Sequence, residues 1–249
     1  MVGIERVFVV SLIAGSVTGF GSLPIFIIDK ISHRTYDSMI ALAAGILTGT
    51  SLFALILPGL GLGGMVKVIP GIIAGGFFLL FLDRMIPIVH NRFHGEHLTD
   101  LKKRTILIGG SITLQNFPEG LAIGIAFGSG LESVGLAIAL AIGIQNISDG
   151  FAFSIPAEKS GFPRGKNMLY TTLSGALPEP LAAVLGFVLM RIFTGIFPIA
   201  AGFAAGAMLA VVFKGMIPES HGHDYSSIAT VMFLIGFVLM MFINKTFTV

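Results

Sequence analysis

Apolar runs of about twenty residues follow one another from residue 4 to residue 246 with only short polar connections between them, and that leaves very few folds open. In hydrocarbon a chain must satisfy its own backbone N–H and C=O groups, so such runs are read as membrane-crossing helices. Charged residues make up only 11% of the chain, against about 25% in soluble domains. The candidate spans are 4–28, 38–61, 66–89, 105–128, 132–156, 168–190, 193–218 and 226–246. They fill the 249 residues and leave no room for a separate soluble domain, so residues 1–249 are expected to form a single transmembrane domain. The fold class expected is all-α: a polytopic membrane protein of eight transmembrane helices. The first run is as long as a signal peptide, but it lacks a small-x-small cleavage site and continues through Pro24 into more apolar residues. It is read as a retained span.

Basic residues give an orientation. With the N-terminus outside, the inward segments carry Lys30, Arg34, Arg84, Arg92, Lys102, Lys103, Arg104, Lys159, Arg164 and Lys166. The outward ones carry Arg6, Lys67, Arg191 and Lys245. This partition predicts both termini outside. The formal net charge of +2 gives no reason to expect a nucleic-acid partner. With no cysteine, disulfides, thiolate metal sites and covalent thiol chemistry are excluded together.

Two polar stretches interrupt the apolar runs. They are Gln115-Asn116-Phe117-Pro118-Glu119-Gly120 and Gln145-Asn146-Ile147-Ser148-Asp149-Gly150. In each, the Gln and the acid are four residues apart and the Asn and the acid three apart, so a helix turns all three toward one face. Charge in hydrocarbon is costly, and such residues ordinarily face a protein interior or a polar pathway. A third acid, Glu179, stands between Pro178 and Pro180, and Pro118 precedes Glu119. Broken helices are tolerated in membranes where the freed groups line a cavity or bind an ion. Lys214 and Glu219 complete the ionisable residues of the late spans.

Glycine clusters on small-residue faces such as Ala43-Ala44-Gly45 and Ala204-Ala205-Gly206, where helices can approach closely. Leu57-Pro58 and Ile217-Pro218 follow these two stretches at nearly the same distance. The correspondence points to an inverted repeat of spans 1–3 and 6–8 around a central pair, a 3+2+3 arrangement.

At these motifs the sequence resembles the ZIP (Zrt-/Irt-like protein) family of metal-ion transporters. QNFPEG is similar to the family's HNxPEG signature of span four, and QNISDG stands where a second such motif occurs in span five. SGALPEPL resembles the SGxxEP stretch of span six, and AAGAMLAVVFKGMIPESH resembles span seven. GSVTGFGSLP, residues 15–24, is similar to span one of the prokaryotic GufA-like branch. The resemblance implies a binuclear metal site between spans four, five and six. Gln115, Glu119, Gln145 and Asp149 would form one half, and Asn116, Asn146 and Glu179 the other, with Glu119 and Asp149 bridging.

The departures shift the expected chemistry. Gln115 replaces the usual span-four histidine, Gln145 stands where span five often has another, and Ser148-Asp149 replaces Pro-Glu. Lys214-Gly215 replaces an Asp-Glu pair, and Leu47 stands where a Met ligand can occur. The resulting site is all oxygen, which suits harder ions than imidazole or thioether would. Two roles are open to Lys214: compensating a carboxylate when metal is absent, or snorkelling to the inner interface. His90, His94 and His97 on an inward connection, with His221 and His223 beyond span seven, can bind metal as neutral imidazoles or simply be solvated.

The resemblance implies a carrier of a divalent metal cation, zinc or a harder ion such as manganese or iron, moving toward the cytoplasm. The ion would be substrate, and no prosthetic cofactor is expected. The expected partners are the metal ion and the lipid bilayer of the plasma membrane, with a homodimer as the assembly to test. The alternative is a ZIP-fold protein whose altered site moves another solute or has lost transport. An enzyme is not expected: Asp149 lacks a mid-depth aspartate partner, Ser148 lacks a histidine base, and no HExxH spacing occurs.

Overall fold

In a computed structural model the described residues are 2–28, 31–94, 100–193 and 195–247, with the backbone alone over 86–94 and 100–108 and at 111. The side chains of His90, His94 and His97 therefore lie outside what is described. The described residues fold into helices joined by short turns, with no strand among them. Among the described residues six segments are long and apolar enough to cross a membrane: Ile4–Phe26, His33–Met85, Glu132–Lys159, Arg164–Ile192, Phe197–Ser220 and Ser226–Phe247. Large apolar side chains such as Val66, Phe77, Phe81 and Phe242 face outward. A water-soluble protein would bury such a surface, and a bilayer solvates it. The chain is an integral membrane protein.

Helix α1 (Ile4–Ser16) continues as a 3₁₀ segment, Val17–Phe26. Helix α2 (His33–Gly49) is capped by Ser32, whose hydroxyl accepts the Thr35 N–H at 3.1 Å. It then loosens into a π segment, Thr50–Ile56, just ahead of Pro58. A proline ring clashes with the carbonyl four residues earlier, and a widened π turn relieves that clash. Helix α3 (Leu57–His94) is divided at Gly64, whose φ of 69° and ψ of 176° no helix permits. Its two arms fold back on one another there, since a side chain at Gly59 would meet Val68. The left-handed φ explains why glycine occupies the corner.

The remaining elements are α4 (Asp100–Gly128), α5 (Glu132–Lys159), α6 (Arg164–Ala176), α7 (Pro178–Ile192), α8 (Phe197–Val211), α9 (Ile217–Ser220) and α10 (Ser226–Phe247). Residues 168–190, expected as one span, are two helices broken at Leu177, because Pro178 and Pro180 supply no N–H to continue the ladder. Residues 193–218 begin later than expected, at Phe197, and contain a second π segment, Val212–Met216, ahead of Pro218. Residues 38–61 and 105–128 begin earlier than expected, with helix from His33 and Asp100.

Glycines at four-residue spacing set the packing. Gly45 and Gly49 of α2 lie against Phe233, Phe237 and Met240 of α10, and Gly71 and Gly75 of α3 against Ile199 and Phe203 of α8. Gly120, Gly124 and Gly128 of α4 lie against Glu179, Ala183 and Phe187 of α7. Within each pair the residue numbers rise together, so the helices run parallel. Added methyl groups at most of these glycines would strike a backbone carbonyl, which is how small residues permit close approach. The helices gather into two groups. One holds α2, α3, α8 and α10; the other holds α1, α4, α5, α6 and α7. They meet along α2 against α5 and α4 against α8.

Candidate metal centre

Asn116, Glu119, Gln145, Asn146, Asp149 and Glu179 are all buried, and all hang from the second helix group. Gly120 lets α4 lie directly against the α7 backbone at Glu179, which sets Glu119 and Glu179 on adjoining helices. Helix α5 runs unbroken past Ser148, so the register from Gln145 to Asp149 is an ordinary helical turn. Glu179 lies in the first turn of α7, where the unpaired N–H groups favour a negative charge.

Gln145 ties two carboxylates together. Its Nε2 donates to Glu119 Oε1 at 3.3 Å and to Asp149 Oδ2 at 2.5 Å. Asn146 reaches the third, its Nδ2 donating to Glu179 Oε2 at 3.0 Å and to the Ala14 carbonyl at 3.0 Å. Asn116 Nδ2 donates to the carbonyls of Ile112 and Ser174, each at 3.0 Å. Each of these three amides has turned its donor end toward a carbonyl or carboxyl oxygen, which leaves its own oxygen unused. Among the described residues, five buried oxygens of this set have no hydrogen-bond partner: Asn116 Oδ1, Glu119 Oε2, Gln145 Oε1, Asn146 Oδ1 and Glu179 Oε1. Among the described residues no basic side chain pairs with the three carboxylates.

Leaving a buried acceptor unpaired costs about 1–3 kcal/mol, and a charged one costs more. Five such oxygens on neighbouring buried side chains are a concentration of acceptors that a cation would satisfy. Among the described residues no three His, Asp or Glu side chains could hold a metal by themselves, so amide oxygens would have to complete any coordination shell. Carboxylate and amide oxygens together are the donor set of hard divalent ions.

Gln115 stands apart from this hydrogen-bonded set. It borders two cavities, one shared with Asp149, Tyr36 and Glu219 and the other with Asp83 and Lys214. Lys214 pairs with Asp83 on α3 and with none of the three buried carboxylates. Neither role considered for it from sequence, compensating those acids or snorkelling alone, describes that ion pair. Leu47 is packed in the apolar core. His221 bonds Thr230 at 3.2 Å, and His223 bonds Asp37 at 3.0 Å, so both are engaged away from the centre.

Several contributors escaped sequence reasoning. The Ala14 and Ser174 carbonyls that hold Asn146 and Asn116 are backbone atoms with no residue signature. Gly15 and Gly175 lie face to face, and a side chain on Gly15 would also meet Glu179 Oε2. Both stand in stretches quoted above, GSVTGFGSLP and SGALPEPL, but nothing in those stretches says that the two glycines meet.

Residues 91–244 match the family model described as ZIP Zinc transporter. The zinc transporter GufA of Myxococcus xanthus is 32% identical over 248 residues, covering 96% of this chain and 97% of the relative. The zinc transporter ZIPB of Bordetella bronchiseptica is 36% identical over 260 residues, covering 98% of this chain and 84% of the relative. The zinc transporter ZupT of Chlorobium chlorochromatii is 29% identical over 258 residues, covering 94% of each.

Proposed function

The chain belongs to the ZIP family, and from that membership we propose that it carries a divalent metal cation across the membrane toward the cytoplasm. The five donorless buried oxygens carry this reading. They fit an ion that has shed part of its water, and Glu119, Asp149 and Glu179 supply the charge to hold it. Gln145 Oε1, Asn116 Oδ1 and Asn146 Oδ1 complete the shell, and Gln115 stands on the approach. The relatives are named for zinc, so zinc belongs on the substrate list. The absence of imidazole and thioether from the oxygen set adds manganese and iron.

The same reading takes eight spans in a 3+2+3 arrangement. The fold-back at Gly64 makes two spans of His33–Met85, and the 29-residue helix Asp100–Gly128 adds another. The inverted repeat is supported by the two π segments, each ahead of a proline in α2 and in the α8–α9 span. The helix pairs also exchange under it, with α2–α10 matching α8–α3. The distribution of lysine and arginine supports an orientation with both termini outside, and a plasma-membrane location belongs to the same reading. A homodimer belongs to this reading too, and its mass in detergent is the measurement.

Uptake into proteoliposomes tests the function, across zinc, cadmium, iron, manganese, cobalt and magnesium. Uptake of zinc or manganese above protein-free vesicles is expected. Glu179→Gln keeps an acceptor for Asn146 but removes a charge, and should weaken metal binding roughly tenfold. Background uptake for every ion, with no metal-dependent thermal shift, would replace this reading with that of a ZIP-fold protein that no longer moves metal.

A further inference from the structure

Two cavities meet at Gln115 and differ in charge. One, of about 200 Å³, is bordered by Asp83 and Lys214; the other, of about 130 Å³, by Asp149 and Glu219 with no lysine or arginine on its wall. In the first, Lys214 Nζ donates to Asp83 Oδ2, tying the π segment after α8 to α3 across 131 residues of sequence. That carboxylate already holds a cation. In the second, the Tyr36 hydroxyl donates to Glu219 Oε1 at 3.1 Å and approaches the Ala152 carbonyl at 3.4 Å. Among the described residues no basic side chain pairs with the Glu219 carboxylate, and its charge remains open to a metal ion.

A lysine on the protein itself competes for Asp83 as an intramolecular partner. Short tethers of this kind present a group at about millimolar effective concentration, which a scarce metal ion does not match. A divalent ion entering this cavity would also approach the ammonium against like-charge repulsion, moderated because Lys214 and Asp83 are 49% and 30% exposed. The π segment contributes by widening the turn that carries Lys214 opposite Asp83.

We propose that Lys214 is a tethered cation that plugs the first cavity, so that an ion leaving the buried cluster passes Gln115, Asp149 and Glu219. The inference rests on the transport reading above, and its experiment separates the two. Zinc uptake is measured in proteoliposomes for the full chain and for Glu219→Gln, Lys214→Gln, Lys214→Met, Lys214→Arg and each lysine variant combined with Glu219→Gln. Glu219→Gln keeps an acceptor for Tyr36 and should slow uptake roughly tenfold, the equivalent of one charge-assisted contact. Adding Lys214→Gln or Lys214→Met opens the other cavity and should recover roughly threefold of that loss, a coupling that independent sites do not show. Adding Lys214→Arg keeps the plug and should recover nothing. Lys214→Met retains the aliphatic stem and covers the case in which the shorter amide unfolds the protein. Parental uptake with an unimpaired Glu219→Gln variant overturns the inference alone. So does equal recovery by arginine and methionine, or no recovery in a double variant that melts like the parent. Where the parent takes up another ion of the panel in place of zinc, the same variants are read with that ion, and background uptake by the parent for every ion removes both readings together.

Discussion

Gln145 shows how one side chain can be legible in sequence and still hold information back. Its four-residue spacing to Asp149 placed both on one helical face, and the structure has them hydrogen-bonded. That the same amide also reaches Glu119 on α4 depended on helix packing that no local spacing encodes. The Lys214–Asp83 pair was hidden for the same reason, since its members belong to distant helices. Glu179 was easier to read, because two prolines around one residue remove two N–H groups from the same turn, whereas the single Pro118 leaves α4 continuous. A prediction follows at Gln145. A histidine there can direct one ring N–H to Asp149 and offer its other nitrogen to a metal, the arrangement that orients and strengthens imidazole ligands. Gln145→His should therefore raise zinc preference over manganese, more so combined with Gln115→His. Competitive uptake of the two ions measures it, and an unchanged ratio would count against the assignment of Gln145 to the metal shell.

Elements were foreseen better than their irregularities. Long apolar runs are enough to announce helices, because hydrocarbon offers the backbone no alternative. The π segments in α2 and after α8 were visible only as Pro58 and Pro218, and nothing in a proline says whether the turn before it will kink, break or widen. Glycine clusters were legible as packing faces, while the choice of partner helix was not. Gly124 illustrates the energetics, because an added methyl there would strike the Ala183 carbonyl of α7. Gly124→Ala should destabilise the protein by about 1–3 kcal/mol, the usual cost of overpacking. A lowered midpoint in detergent-solubilised thermal unfolding is the expected result. Because α4 and α7 carry Glu119 and Glu179, weaker metal binding should accompany it. Gly130, at an open turn, offers the control: Gly130→Asn, which tolerates positive φ, should lower the midpoint far less.

For the whole molecule, the distribution of lysine and arginine gives the expected orientation in the membrane. The Cys-free chain makes the measurement direct. Lys67→Cys, beside the Gly64 corner, should react with an impermeant thiol reagent in intact cells, and Lys159→Cys, at the end of α5, should be protected until the cells are opened. The opposite pattern would reverse the membrane orientation and with it the direction of transport. Another whole-molecule property comes from the division of the helices. Every candidate ligand hangs from α4, α5 or α7, which are packed with α1 and α6 into one group, while α2, α3, α8 and α10 form the other. Displacement of one group past the other would leave the oxygen shell intact, and the ion would cross as a passenger without exchanging ligands on the way. Its dissociation constant should then be nearly the same from either side of the membrane. Turnover would be set at the seam, where a lipid environment that stiffens sliding could slow the protein without loosening its hold on the metal.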